Sequence, residues 1–290
     1  MTSRKRVKHW SERNFITEVL IPSIFTPKSG SRNKPIFPTV PPGKVALTWI
    51  GHASFLIQTD RHNILIDPNW ANWLLVVRRL RHAGMHIDHL PNIDLVLVTH
   101  AHFDHLNRVT LRRVANRQPI AIPSGVRSLV EDLGFHYIHQ MDWWDTWSYR
   151  GIDITFVPAK HWGARVLADR HRGYGGFVIH YQGRSIYHVG DSAYFEGFRE
   201  IGQRCHPEIV LMPIGAYDNP SGRDVHLSPE EGLRAFEDLR GRLLVPMHFG
   251  TYRLSYEPMH EPPQRLMEAA ARHGLLPQVR VLTEGLPEVI

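Results

Sequence analysis

Three histidines and one aspartate directly follow a short apolar run, and this cluster restricts the fold more than any other feature. The run Asp94–Val98 is typical of a strand buried on both faces. His100 and His102 follow it at alternate positions, so both imidazoles can point the same way from an extended chain. Asp104 and His105 come next, and we expect them at the start of a helix. Burying these groups is costly without a compensating ion, so the cluster predicts a metal site.

Composition limits the class of protein. The 290 residues are 42% hydrophobic and 21% charged, the balance of a globular protein. Cys205 is the only cysteine, which excludes an intrachain disulfide and a cysteine-based zinc finger. The basic start, Met1 to Lys8, is not followed by a clean apolar stretch, and no run approaches the roughly 18 apolar residues of a membrane span. We therefore expect a cytoplasmic location without a signal peptide or transmembrane helix.

The chain divides into two predicted parts. Residues 1–43 are basic and rich in proline, and we expect an extended arm that wraps on the domain or is partly disordered. Residues 44–290 alternate between strand-like and helical patterns without an evident linker, which predicts one α/β domain with two mixed sheets and helices outside. The predicted strands are Val45–Ile50, Ser54–Gln58, Asn63–Ile66, Asp94–Val98, Pro119–Ile122, Ile152–Val157, Gly176–Tyr181, Ser185–Val189, Glu208–Met212, Leu243–Pro246 and Val279–Leu282. The predicted helices are Leu106–Arg117, Ser124–Leu133, Phe195–Arg204, Ser228–Leu239 and Pro262–His273.

Several motifs, in order along the chain, resemble one known family. The pattern His-X-His-X-Asp-His after a buried strand resembles the signature of the metallo-β-lactamase superfamily. The resemblance covers roughly residues 45–285 and is greatest to the branch of N-acyl-phosphatidylethanolamine phospholipase D and ascorbate-6-phosphate lactonase. It implies the metallo-β-lactamase fold, a four-layer αββα sandwich. The further matching segments are Trp49-Ile-Gly-His52-Ala-Ser-Phe55, Ile66-Asp67-Pro68, Pro158-Ala-Lys-His161-Trp162, Val189-Gly-Asp191-Ser192, Pro213-Ile-Gly-Ala-Tyr217 and Met247-His248-Phe-Gly-Thr251.

The resemblance also implies a set of metal ligands. His100, His102 and His161 would hold one ion, Asp104, His105 and His248 would hold a second, and Asp191 would bridge the two. Three of these ligands agree with strand exits in the predicted pattern. His161 follows Ile152–Val157, Asp191 follows Ser185–Val189, and His248 follows Leu243–Pro246.

A ligand set of histidine and carboxylate without cysteine suits Zn²⁺, and Mn²⁺ or Fe²⁺ can use similar ligands. Two such ions per chain would share a water and lower its pKa, which gives hydroxide at neutral pH. We expect Asp104, Asp191 and His226 to have catalytic roles. The resemblance implies that His226, just before a predicted helix, contacts the substrate or helps the leaving group. For His52 a supporting role at the metal site and a purely structural role both stay open.

The substrate is less restricted than the metal site. The resemblance favours a phosphodiester such as an N-acyl phospholipid, with a lactone of a sugar phosphate or an acyl chain as the alternative. The formal charge of +6 permits a nuclease as a further alternative, but we do not expect a nucleic-acid partner. The insertion Trp70–Arg81 has tryptophans and apolar residues followed by arginines. It predicts either peripheral contact with an anionic membrane or a loop that lines the cleft.

Overall fold

The computed structural model describes residues 13–165 and 169–290, so residues 1–12 of the predicted arm lie outside the described part. The described residues form fifteen strands and five α-helices. The strands are β1 (Ala46–Gly51), β2 (Ser54–Gln58), β3 (Asn63–Ile66), β4 (Trp73–Leu74), β5 (Val77–Arg78), β6 (Leu95–Leu97), β7 (Pro119–Pro123), β8 (Tyr137–Met141), β9 (Thr146–Tyr149), β10 (Ile152–Val157), β11 (Gly176–Tyr181), β12 (Arg184–His188), β13 (Ile209–Pro213), β14 (Leu243–Met247) and β15 (Pro287–Val289). The helices are α1 (Ile21–Phe25), α2 (Arg108–Val114), α3 (Gly197–Cys205), α4 (Pro229–Leu239) and α5 (Glu261–Arg272).

Two mixed sheets form the centre of the fold. The first has the order β15-β1-β2-β3-β6-β7-β8, antiparallel up to β3 and parallel from β3 onwards. The second has the order β14-β13-β12-β11-β10-β9, parallel from β14 to β12 and antiparallel beyond. Buried side chains of α2 pack with the first sheet, and those of α3, α4 and α5 pack with the second. The predicted sandwich of two mixed sheets with helices outside is confirmed.

Side chains of the first sheet alternate between two apolar cores. On β3, Ile64 and Ile66 enter the core shared with the second sheet, whereas Leu65 packs towards α2. This division follows from the two-residue period of a strand. Because both faces of these strands are buried, polar side chains are displaced to the strand ends, where the candidate site lies.

Three details of the sequence prediction were wrong. The helix predicted from Ser124 to Leu133 is absent, and only a 3₁₀ turn at Arg127–Leu129 forms there. Gly125 adopts a φ of +80°, which no α-helix can contain. Val279–Leu282 is not a strand, since only Val279 makes an isolated bridge to Leu244. The helix after the histidine cluster begins at Arg108, capped by Asn107, so Asp104 and His105 lie in the preceding turn.

The described part of the arm is not simply extended. A π-helix, Ile16–Leu20, leads directly into α1. Beyond α1 the arm lies against the insertion and the segment after it, because isolated bridges pair Ser29 with Arg81 and Asn33 with Met85. Within residues 13–165 and 169–290, no helix is long and apolar enough to cross a bilayer.

Candidate metal centre

One group of potential ligands gathers where β6, β10 and β12 end. It contains His100, His102, His161 and Asp191, whose ligand atoms all lie within 4.8 Å of one another. His102 Nδ1 lies 3.0 Å from His100 Nε2 and 3.2 Å from His161 Nε2. Asp191 Oδ2 lies 3.8 Å from His100 Nε2 and 3.7 Å from His161 Nε2. These are the residues that the sequence assigns to the first ion, together with the predicted bridge.

A second group lies beside the first. Its members are His52, Asp104, His105 and His248, again with ligand atoms within 4.8 Å of one another. Asp104 Oδ2 lies 3.4 Å from His248 Nε2 and 3.7 Å from His105 Nε2. Asp191 also reaches this group, with Oδ1 at 3.1 Å from His248 Nε2 and Oδ2 at 3.3 Å from His105 Nε2. The carboxylate of Asp191 therefore touches both groups.

The donor atoms of both groups fit metal ions. Several of them are buried and have no hydrogen-bond partner among the described residues, which is costly for polar atoms. A cation in each group would satisfy them, and imidazole nitrogens with carboxylate oxygens are typical ligands of Zn²⁺, Mn²⁺ and Fe²⁺. His102 Nε2 is one such atom, and His105 Nε2, His248 Nε2 and Asp191 Oδ1 are others, because the close contacts of these two histidines with the Asp191 carboxylate lack hydrogen-bond geometry.

The histidines of the site are of two kinds, those whose pKa is lowered and those whose pKa is raised. Burial holds the pKa of His100 and of His161 well below the ordinary value, which favours the neutral, ligating form. Burial opposes protonation of His248 too, but the charge of Asp191 and the contacts with the carboxylates of Asp104 and Asp191 together outweigh it and raise the pKa of His248 to about 9. The pKa of His105 is raised well above its usual range in the same way, against burial, chiefly by Asp191 and Asp104. Two carboxylates thus attract positive charge to this space, which protons or metal ions can supply.

Asp67 holds His105 in place. It lies directly after β3, fully buried, and its Oδ2 is 2.7 Å from His105 Nδ1. The same carboxylate accepts hydrogen bonds from the backbone N–H and the hydroxyl of Thr99, each at 2.7 Å. A carboxylate on the far nitrogen of a ligating histidine fixes its ring and its tautomer. The sequence assigned no role to Asp67, although its place in the motif Ile66-Asp67-Pro68, directly after a predicted strand, was a usable signal.

His52 and Asp104 make a comparable pair. His52 Nε2 lies 2.9 Å from Asp104 Oδ2, and the His52 ring centroid lies 4.0 Å from that of His248. The turn of His52 is tied to the site, because its N–H donates to Thr251 Oγ1 at 2.8 Å and its carbonyl accepts from the N–H of His248 at 3.1 Å. These contacts favour the supporting role for His52 over a purely structural one.

His226 lies at the edge of both groups. Its Nδ1 is 3.8 Å from Asp191 Oδ2, and its ring stacks on that of His248 at 5.4 Å. The side chain keeps 15% of its surface exposed, whereas those of Asp191 and His248 expose 1% or less. Burial lowers the pKa of His226 to about 4. His226 therefore faces the candidate metal space from the solvent side, where a substrate would enter.

Comparison with known proteins identifies the family of the domain that carries this site. The family described as "Beta-lactamase superfamily domain" matches residues 62–249. An uncharacterised protein of Mycobacterium tuberculosis is 31% identical over 240 residues, and the match covers 78% of this chain and 64% of that protein's length. N-acyl-phosphatidylethanolamine-hydrolyzing phospholipase D 1 of Caenorhabditis elegans is 27% identical over 265 residues, with 83% of this chain and 74% of that protein covered. Among solved structures, the metallo hydrolase Igni18 of Ignicoccus hospitalis matches with a TM-score of 0.67 and 25% identity, covering 85% of this chain and 98% of that one.

Proposed function

The chain belongs to the β-lactamase superfamily and is a metal-dependent hydrolase, and from this premise we propose that it binds two metal ions between its strand ends. The observation that carries the proposal is the carboxylate of Asp191, which lies within 4 Å of histidines of both groups. One ion would be held by His100, His102 and His161, and the other by Asp104, His105 and His248. We propose Zn²⁺ as the native metal, with Mn²⁺ or Fe²⁺ as alternatives.

The residues around the ions would have different roles in hydrolysis. When bound, two ions lower the pKa of a shared water and stabilise negative charge on the attacked group. Asp191 would span both ions, and Asp104 would be oriented by its contact with His52. Asp67 would keep Nε2 of His105 turned towards the site. His226 faces the same space from the solvent side, and we propose that it hydrogen-bonds the substrate or its leaving group.

A phosphodiester such as an N-acyl phospholipid is the substrate that we favour. The Caenorhabditis elegans relative carries a name that specifies this reaction, and the match includes 83% of this chain. A lactone of a sugar phosphate or an acyl chain is the alternative, because the same metal centre can direct attack on a carbonyl carbon.

An anionic membrane surface is the partner that we propose for such a lipid substrate. Ile21, Ile24 and Phe25 occupy one side of α1, and all three are exposed, Phe25 to 80%. Leu75 and Val76, at the turn between β4 and β5, are 71% and 64% exposed. We call these five residues the apolar patch.

The apolar patch is held together by contacts between the arm and the insertion. Arg78 of β5 donates to the carbonyls of Ile24 at 2.6 Å and of Thr26 at 2.8 Å, which ties the end of α1 to the hairpin. Lys28 donates to the side chain of Asn72 at 2.6 Å, so a cation lies next to the hairpin. Apolar side chains beside basic ones are typical of surfaces that bind anionic membranes. The contacts therefore favour the membrane interpretation of the insertion over a loop that lines the cleft.

A substrate panel tests the proposed reaction. The metal-loaded protein and its Asp191→Ala variant are incubated with simple phosphodiesters, N-acyl phospholipids and lactones, and the products are quantified. We expect hydrolysis of the diesters and the phospholipid by the wild type and none above background by the variant. Hydrolysis of lactones alone would replace the phospholipase proposal by the lactonase alternative. Equal rates in both proteins would overturn the role of Asp191.

A further inference from the structure

A solvent-open cleft adjoins the first group of ligands. It encloses about 810 Å³, part of it open to solvent, and is lined by Trp162, Gly163, Ala164, Arg170, Tyr174 and Arg223. The ring centroid of Trp162 lies 4.9 Å from that of His102, and the ring centroid of Tyr174 lies 6.4 Å from that of His161. The aromatic walls of this cleft therefore contact two of the proposed ligands. A substrate held at the metals would extend into it.

The rim of the cleft is cationic. Arg170 and Arg223 are both exposed, and the guanidinium carbon of Arg223 lies 5.4 Å from the centre of the Trp162 ring. Among the described residues, neither arginine forms an ion pair, because the neighbouring carboxylates are engaged elsewhere. Asp224 pairs with Lys160, and Asp169 pairs with Arg172. Two guanidinium groups beside an aromatic wall are suited to a phosphate or carboxylate, which arginine binds through paired hydrogen bonds.

The walls of the cleft are fixed by backbone contacts. Trp143 Nε1 donates to the carbonyl of Tyr174 at 2.6 Å, and the N–H of Gly173 donates to the carbonyl of Ser124 at 2.8 Å. Gly163 packs so closely on the carbonyl of Arg172 that no side chain would fit there. The segment that carries Arg223 is tied to the metal centre, because His161 Nδ1 lies 3.0 Å from the carbonyl of Val225. A cleft ordered before the substrate arrives loses less entropy on binding.

We propose that this cleft is a subsite for a second anionic group of the substrate, a phosphate or carboxylate, held by Arg170 and Arg223 while the scissile group lies at the metals. The inference rests on the proposed function, since it places the reacting bond between the two ligand groups. It narrows the proposed substrates to molecules with a negative charge outside the bond that is cleaved, which favours a sugar-phosphate lactone or an N-acyl phospholipid with a further anionic group over a lipid whose only charge is the scissile diester. The phosphate of a sugar-phosphate lactone and an anionic substituent on a phosphodiester have this chemistry in common.

Matched substrates test the subsite. The pair is 4-nitrophenyl phenyl phosphate and 4-nitrophenyl 4-carboxyphenyl phosphate, which share a scissile bond and a leaving group and differ by one carboxylate. The zinc-loaded wild type is compared with the Arg170→Ala/Arg223→Ala double variant and with the control Arg242→Ala, an arginine that is 80% exposed and pairs with Glu208. We expect wild type and control to prefer the carboxylated ester. In the double variant, the ratio of kcat/KM for the carboxylated ester to kcat/KM for the plain ester should fall about tenfold. The fall should come mainly from a higher KM for the carboxylated ester. A preference equal in all three proteins, or lost equally in the control, would overturn the proposal.

A binding measurement separates failure of the subsite from failure of the reaction. Methylene phosphonate analogues of the two esters, which cannot be cleaved at that bond, are titrated into the same proteins by calorimetry. We expect the carboxylated analogue to bind about tenfold more weakly to the double variant, also if no diester is hydrolysed. That result without turnover would reject the phosphodiesterase proposal and support the subsite. Equal affinity of wild type and double variant for the carboxylated analogue would overturn the subsite, whatever the protein hydrolyses.

Discussion

The metal centre and the apolar patch both contain groups in an unfavourable environment, but the groups are of opposite kinds. The centre buries ionisable groups such as Asp191 and His248 and leaves several of their atoms without a hydrogen-bond partner among the described residues. The patch does the reverse, since Phe25 and Leu75 are large apolar side chains left largely exposed. A buried charge requires a counter-ion, and an exposed apolar patch requires another apolar surface. The two regions therefore point to different ligands, ions for the centre and an interface for the patch.

The two regions also differ in proposed role, since the centre would carry out the reaction and the patch would bring the protein to its substrate. The centre is built from strand ends of both sheets, where a change of one side chain disturbs several others. The patch is built from the arm and the insertion, which contact the domain through a few hydrogen bonds such as those of Arg78. Substitutions in the centre should therefore lower turnover or metal affinity, whereas those in the patch should change only where the protein acts.

Removal of the carboxylate shared by both groups should have the largest effect. In Asp191→Ala each proposed ion loses a ligand, so kcat/KM should fall by at least about 10³-fold. Metal content after desalting, measured by elemental analysis, should fall below that of the wild type. Asp132→Ala is the control, because Asp132 is a surface aspartate that pairs with Arg108 and Arg112. Wild-type activity in Asp191→Ala would contradict the role of the shared carboxylate.

His226 should affect turnover without affecting the ions. Its side chain lies at the edge of the site and is not among the seven proposed ligands, so His226→Ala should lower kcat by about 10²-fold. Metal content and the melting temperature should stay at wild-type values. Loss of metal in this variant would instead make His226 a ligand.

Asp67 should affect metal affinity more than the chemistry. Asp67→Asn keeps an oxygen for the Thr99 N–H but removes the charge that faces His105 Nδ1. We expect a 10–100-fold loss of metal affinity, measured by competition with a chromogenic chelator. At saturating metal, kcat should recover most of its wild-type value. An unchanged affinity would show that His105 needs no partner to keep its orientation.

The apolar patch should show the smallest effect on folding and none on chemistry. Leu75→Ser/Val76→Ser removes two exposed side chains, so the free energy of unfolding should change by no more than about 0.5 kcal/mol. Binding to vesicles with anionic lipid, measured by flotation at low salt, should fall several-fold and should weaken further as salt is added. Val109→Ser is the matched control, because Val109 is 68% exposed on α2 outside the patch. Equal vesicle binding by the wild type and the double variant would contradict the membrane proposal.

Sequence alone predicted most of the central framework. Asn63–Ile66, Ile152–Val157 and Gly176–Tyr181 have the predicted bounds, because their apolar side chains match a buried strand. The start of α4 was also predicted, and Ser228 and Glu231 form a capping box there. The seven proposed ligands were named from their motifs, and the structure brings all of them into two adjoining groups.

The remaining features depend on contacts that no local pattern records. Gly125 prevents the predicted helix at a positive φ, and Arg172, distant in sequence, donates to its carbonyl at 2.7 Å. The contact of Asp67 with His105 depends on the parallel pairing of β3 with β6, which no single segment contains. The edge strand β8 was missed because its side chains are mostly exposed or half-buried and show no apolar alternation.

The number of metal ions per chain tests the central claim most directly. The wild-type protein is saturated with Zn²⁺, desalted to remove loosely bound metal, and measured by elemental analysis against its protein concentration. We predict two ions per chain, because Asp191 adjoins both ligand groups and each group offers enough donor atoms for one ion. A value of one ion or fewer, in protein that is fully folded, would contradict the dinuclear centre.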